Sequence, residues 1–263
     1  MSFLAANGCV HMDFTGKTAI VTGASSGIGA ATAKLLSTHG ATLALVGRNE
    51  QRLLDVAKHC EEASSKKPLC LLLDLTIDGN CDEVVRKTVE TFKRIDVLIN
   101  CAGKAAVTSL FDTNMEIFDE LVALNLRVPY KLTQSCIPHL KRVKGNIVNV
   151  VAAPVRVRPG FLPFAMIRDA LDRFTKAGAL ELVSDGIRMN AVRPGITRTN
   201  LLTNLNVEEE FMDQAYDKIA MAVPNNVIIE PEEIAKMIVF AASDSCPNLN
   251  GASLIVDGAA SSY

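Results

Sequence analysis

The chain has 263 residues, 49% of them hydrophobic and 21% charged, with 27 basic side chains against 29 acidic ones. That length can bury a substantial core, while a net charge of −2 and the lack of any Lys/Arg block give no footprint for nucleic acid or an anionic membrane surface. The longest apolar runs, such as residues 237–242, fall far short of the roughly 18 residues that span a bilayer, and the opening MSFLAANGCVH lacks the pattern of a secretion signal.

Residues 1–12 read as a short extension, because fold-like patterning begins at Asp13. Residues 17–23 (KTAIVTG) read as a first strand, followed by a helix over 28–39 that Gly40 stops. A second strand at 41–47, a helix near 50–62, a third strand at 69–75, a helix near 82–94 and a fourth strand at 96–101 continue the alternation. A longer helical stretch at 115–141 leads into a fifth strand at 145–153. A helix over 164–183 and a sixth strand at 187–193 follow. Pro231 opens a helix to Ala242, and 252–258 is the last strand. The strands are continuous apolar runs, as expected when helices cover both faces of a parallel sheet. The predicted fold class is therefore α/β, one Rossmann-type doubly wound domain over 13–263 with a mainly parallel seven-stranded sheet. Residues 196–230 are the irregular part. They read either as a lid over the carboxyl edge of the sheet or as a surface helix with Phe211, Ala215 and Ile219 on its core face.

Seven dispersed cysteines with no CxxC fit reduced thiols and a cytoplasmic setting. The four histidines show no metal-ligand spacing, so no metal site is expected. The strongest local signal is Thr22-Gly23-Ala24-Ser25-Ser26-Gly27-Ile28-Gly29 between a strand and a helix. Gly23 permits a tight turn, Gly27 lets backbone approach a diphosphate, and Gly29 allows close helix–strand packing. The helix N-terminus offers unpaired N–H groups to phosphate. The acid that bonds a ribose 2′-hydroxyl in NAD sites is replaced here by Gly47, and Arg48 follows. A guanidinium there pairs with a 2′-phosphate, so NADP is expected over NAD; read plainly, Arg48 is a solvated loop cation.

This GxxxGxG spacing resembles the short-chain dehydrogenase/reductase family, in its single-domain soluble branch. Asn100-Cys101-Ala102-Gly103 resembles the N-x-A-G segment beside the cofactor, and Asp74-Leu75 is similar to the pair that holds the adenine. Asn125 matches the family's active-site asparagine. Pro194-Gly195-Ile196-Thr197-Arg198-Thr199 resembles the stretch whose threonine meets the nicotinamide amide. The resemblance implies a nicotinamide cofactor, a small alcohol or carbonyl ligand, and a homotetramer or homodimer built through the helices near 115–141 and 164–183.

The resemblance breaks at the residues that move protons. The family places a serine after the fifth strand and Y-x-x-x-K on the next helix. Here the serine place holds Ala152 (or Val151), the tyrosine place Phe164 and the lysine place Arg168. Between Cys136 and Val183 there is no Ser and no Tyr, so no small gap restores the set. Loss of a general acid costs about 10²–10⁴-fold in rate, and loss of an oxyanion donor on the order of 10²–10³-fold, not additively. Arg168 keeps a cation that can still bind ribose. Two readings stand: an oxidoreductase with another proton donor, such as Cys101 or Tyr216, or a non-catalytic NADP(H)-binding or cofactor-sensing protein. Changes introduced into an active parent would leave the same sequence. Tyr216 reads more simply as a surface tyrosine. Arg168–Asp172 and Asp169–Arg173, spaced i,i+4, read as helix-surface ion pairs. Arg156 and Arg158 read as solvated loop cations or receivers of an anion.

Overall fold

A computed structural model describes residues 12–154, 159–201, 211–221 and 223–262 of the chain. The strands are β1 (Thr18–Thr22), β2 (Thr42–Gly47), β3 (Leu69–Leu72), β4 (Val97–Asn100), β5 (Asn146–Val150), β6 (Arg188–Pro194) and β7 (Ser253–Val256). They form one seven-stranded sheet in the order β3-β2-β1-β4-β5-β6-β7, every adjacent pair parallel. The helices are α1 (Gly27–Thr38), α2 (Glu50–Ser64), α3 (Asn80–Phe92), α4 (Glu116–Val122), α5 (Val128–Val143), α6 (Leu162–Leu182), α7 (Met212–Ala220) and α8 (Pro231–Ala242).

Side chains alternate across a strand, and this sheet uses both faces for burial. Val21, Ile99 and Val148 pack with Leu36 of α1, Leu53 of α2 and Ile234 and Ile238 of α8. Their neighbours Ile20, Leu98 and Ile147 pack on the other side with Val84 of α3, Leu132 and Leu140 of α5 and Leu182 of α6. The chain runs outward from β1 to β3, then returns to β4 on the other side of β1. That reversal opens a crevice at the carboxyl ends of β1 and β4, where doubly wound folds bind ligands.

Several expected boundaries move. The third strand ends at Leu72, three residues early, because Asp74 turns the chain by accepting from the Thr76 N–H at 2.9 Å and its hydroxyl at 2.7 Å. The edge strands are not buried on both faces: Leu72 and Ile255 are half-exposed, since β3 and β7 have one strand neighbour each. The single helix expected over 115–141 is α4 and α5 joined by a π-helical turn, Ala123–Arg127. Pro129 lacks the N–H that would bond the Asn125 carbonyl in α geometry, and the wider turn falls at that place. Among the described residues, no helix is long and apolar enough to cross a membrane.

The irregular part also differs from expectation. In α7 it is Tyr216 that is buried, at 2% exposure, whereas Phe211 is half-exposed. Residues 202–210 and 222 of this segment, Arg156 and Arg158, and residues 1–11 lie outside the described residues.

Candidate active-site crevice

The crevice begins where β1 ends. The Thr22 hydroxyl accepts the N–H groups of Cys101 and Ala102, each at 3.0 Å, which ties the end of β1 to the end of β4. Gly23 (φ +66°) turns the chain there, and a Cβ on it would stand 2.9 Å from the Ala102 Cα. A Cβ on Gly29 would collide with the Gly23 carbonyl oxygen, so the helix sits directly on the turn. Ser26 caps α1 in extended geometry without a side-chain hydrogen bond, and the first turn carries no acid. The N–H groups at Gly27, Ile28 and Gly29 therefore have no side-chain claimant, and with Ser25 and Ser26 they form a cradle suited to a diphosphate.

At the end of β2, a Cβ on Gly47 would come within 3.1 Å of Ser25 Cβ, so a side chain at 47 would require the glycine loop to give by a few tenths of an ångström. Arg48 beside it is 70% exposed in its side chain, with Nη1 3.4 Å from Asp74 Oδ2. Burial raises the Asp74 carboxyl, but the Thr76 hydrogen bonds and the Arg48 charge outweigh it and hold the carboxyl below its usual range. Leu75 next to it is buried in the core.

The floor of the crevice is a chain of buried amides. Asn100 Nδ2 donates to Asn149 Oδ1 at 2.9 Å, and Asn149 Nδ2 donates to the Thr175 hydroxyl at 2.9 Å. That hydroxyl donates to the Leu171 carbonyl, while Asn100 Oδ1 has no hydrogen-bond partner among the described residues. Asn125, fully buried in the π turn, holds Lys104 through both backbone groups at 3.0 Å. Arg168 and Asn125 both crowd the space at Gly103. A Cβ on Gly103 would lie 2.5 Å from Arg168 Nη2 and 2.9 Å from Asn125 Oδ1.

The expected surface ion pairs on α6 are corrected. Arg168 is 8% exposed, points inward and donates from Nη1 to the Val150 carbonyl at 2.9 Å, with Cζ 5.0 Å from the Phe164 ring centroid. Asp169 and Asp172 instead serve Arg193 of β6, whose guanidinium lies 3.0 and 3.5 Å from their carboxylates. Arg193 Nε also donates to the Ala152 carbonyl at 2.7 Å, so this network fixes the backbone just after β5. Asp172 further accepts from Lys176 at 2.7 Å and from the Ser253 hydroxyl.

Beyond β6, the Pro194 carbonyl accepts the Ala153 N–H at 2.7 Å, and a Cβ on Gly195 would strike Asp257. Thr199 then reaches back to the phosphate loop, its Cγ2 3.0 Å from where a Gly27 Cβ would stand. The expectation of Tyr216 as a surface residue is also corrected. Its hydroxyl accepts from the Thr199 N–H at 2.9 Å and donates to the Thr199 carbonyl at 2.6 Å. Arg198 packs on the Tyr216 ring with Cζ 4.9 Å from the centroid and pairs with Asp213 and Glu230. Burial pushes the Cys101 thiol up to about 12, only partly offset by the Arg168 charge. Among the described residues no group of three or more His, Cys, Asp or Glu is placed to hold a metal ion.

Sequence reasoning missed Arg193, Asn149, Thr175 and the inward turn of Tyr216. An asparagine inside an apolar strand, as in Asn146-Ile147-Val148-Asn149-Val150, was the available signal for an internal hydrogen-bond chain. No local pattern separated Arg193 from a solvated arginine.

Residues 23–260 match the family profile described as Enoyl-(Acyl carrier protein) reductase. The chain is 32% identical over 249 residues to a 3-oxoacyl-[acyl-carrier-protein] reductase, FabG, of Thermotoga maritima, covering 94% of this chain and 98% of the relative. A short-chain dehydrogenase/reductase of unknown function from Caenorhabditis elegans, solved with cofactor, superposes with a TM-score of 0.88 at 32% identity, covering 94% and 96% of the two chains. L-Sorbose reductase from Gluconobacter frateurii, solved with NADPH and L-sorbose, gives 0.88 at 25% identity, covering 96% and 99%. With the glycine loop and the reversal beside β1 already in place, these matches put the chain in the short-chain dehydrogenase/reductase family, a family of oxidoreductases that use nicotinamide cofactors.

Proposed function

We propose that this chain is an NADP(H)-binding member of its family in which the usual proton-transfer set is absent, so that it holds the cofactor without the family's usual turnover. The observation that carries the reading is the Phe164–Arg168 pair. One member has no exchangeable proton, and the other keeps its charge at neutral pH, its pKa lowered by burial only to about 10. Neither alternative donor favours ordinary catalysis. The Tyr216 hydroxyl is committed to Thr199, and the Cys101 thiol is too weak an acid near pH 7.

Cofactor binding is supported by the cradle at Ser25, Ser26, Gly27, Ile28 and Gly29, with Gly23 turning into it. The exposed Arg48 beside Gly47 favours the 2′-phosphate of NADP, and Asp74 with Leu75 would border the adenine. Asn100, Ala102, Gly103, Arg168, Pro194, Gly195 and Thr199 would line the nicotinamide half, with Asn125 behind them. The cofactor would supply a transferable hydride; the chain's residues bind and orient it. Residues 13–263 would act as one unit, with 196–230 as a lid. A relative named a reductase and a neighbour solved with NADPH and L-sorbose support a small carbonyl or alcohol as the second ligand. Self-association through the α4–α6 surface and a reducing cytoplasmic setting, consistent with the free thiols of all six cysteines among the described residues, complete the reading.

The test pairs NADPH titration by fluorescence with turnover on a panel of ketones and aldehydes. Micromolar NADPH binding without hydride transfer, and activity gained on combining Ala152→Ser, Phe164→Tyr and Arg168→Lys, is the expected result. Robust turnover by the parent chain overturns the non-catalytic part. Failure to bind either nicotinamide cofactor overturns the whole.

A further inference from the structure

Arg168 is a buried cation without a carboxylate partner among the described residues. Nη1 is engaged by the Val150 carbonyl, and the Phe164 ring covers one face of the guanidinium. Nε is buried and has no hydrogen-bond partner among the described residues, and Nη2 stands against Gly103 without a hydrogen bond to any described residue. The two acids nearest along α6 are already committed, Asp169 to Arg193 and Asp172 to Arg193, Lys176 and Ser253.

A charge buried this way is unfavourable until it gains a counter-ion, and loss of the proton is no remedy near pH 7. Hydroxyl groups could satisfy its donors but would leave the charge uncompensated. A carboxylate does both. The edge left unbonded, Nε with Nη2, is the side-on fork that pairs with the two oxygens of a planar oxyanion.

We propose that Arg168 is the receptor for a ligand carboxylate, so that the second ligand of the crevice is a small organic acid rather than a neutral alcohol or ketone. This rests on reading the crevice as the ligand site. A phosphate of the cofactor offers related chemistry, and the two sources separate experimentally.

The test measures butyrate and butyramide binding to the full chain by calorimetry and by thermal midpoint, at constant ionic strength, without NADPH and with saturating NADPH. Butyrate is expected to bind and raise the midpoint in both conditions, and butyramide to do neither. Arg168→Met should weaken butyrate binding by about tenfold or more, and Arg168→Lys should retain part of it. If the methionine variant does not fold, the lysine variant with Arg168→Gln carries the comparison. Equal behaviour of butyrate and butyramide overturns the proposal, as does undiminished butyrate binding by a neutral variant. If NADPH abolishes the butyrate response and Arg168→Met weakens NADPH binding, the cofactor itself supplies the anion and the organic acid is excluded. Arg168-dependent butyrate binding by a chain that binds no nicotinamide cofactor upholds the receptor and removes the cofactor reading instead.

Discussion

The hydroxyl of Tyr216 in α7 closes on both backbone groups of Thr199, accepting its N–H at 2.9 Å and donating to its carbonyl at 2.6 Å. One side chain therefore links α7 to the segment that approaches the glycine loop at Gly27. Tyr216→Phe removes both bonds while keeping the ring on which Arg198 packs. It should cost about 1–3 kcal/mol of local stability, read as faster amide hydrogen exchange at residues 196–200. NADPH affinity should fall with it, and unchanged exchange would separate α7 from that segment.

Arg193 faces two carboxylates and a carbonyl at the end of β5. Arg193→Met leaves the buried Asp172 with Lys176 and Ser253 alone, and a loss of roughly 3 kcal/mol is expected in urea unfolding. The pH dependence has a definite sign. Burial raises the Asp172 carboxyl, but bonds from Lys176 and Ser253 and the Arg193 charge hold it below its ordinary value. Its stabilisation is thus present above the unfolded carboxylate pKa, about 4, and is lost as pH falls through the lower folded value. Without Arg193 the folded value rises, so the acid limb of the stability profile should begin at higher pH than in the parent.

Arg48 is largely exposed, touches only Asp74 among the described charged residues, and stands beside a glycine whose position is crowded by Ser25 and Leu53. Arg48→Ala should lower NADPH affinity by about 10–100-fold, the worth of a charge-assisted pair, and leave NADH affinity within about twofold. Parallel titrations of the two cofactors measure this; equal losses for both would assign Arg48 to something other than the 2′-phosphate.

Gly23 combines a φ of +66° with backbone 2.9 Å from where its Cβ would stand. Gly23→Ala must strain the turn and push β1 from β4 at once. A drop of more than about 2 kcal/mol is expected, seen as a lower thermal midpoint even without cofactor.

Much of the frame was legible because periodicity and glycine spacing are local. The strand at 17–23, the loop after it and the helix stopped by Gly40 all follow from short-range patterns that the tertiary fold reinforces. Around α6 the same reasoning failed. Spacing i,i+4 pairs Arg168 with Asp172 on any isolated helix, but α6 packs with Arg168 inward, and Arg193, a strand away in sequence, takes both acids. The identities at 152, 164 and 168 were readable, whereas their geometry depends on contacts between elements far apart in the chain. Tyr216 was misplaced for a related reason: α7 is amphipathic, but its docking partner is the backbone of Thr199, which no hydrophobic pattern marks.

Gly103 and Arg168 form a matched pair, since the guanidinium reaches into space that a single methyl at 103 would claim. A methyl at 103 requires the end of the Arg168 side chain to move, and with it the donor to the Val150 carbonyl. A lysine at 168 lacks the guanidinium and so removes one of the two groups, with Asn125 Oδ1, that crowd position 103. Because Gly103 stands in the N-x-A-G stretch that the family shares, the change that sets this pair apart lies at 168.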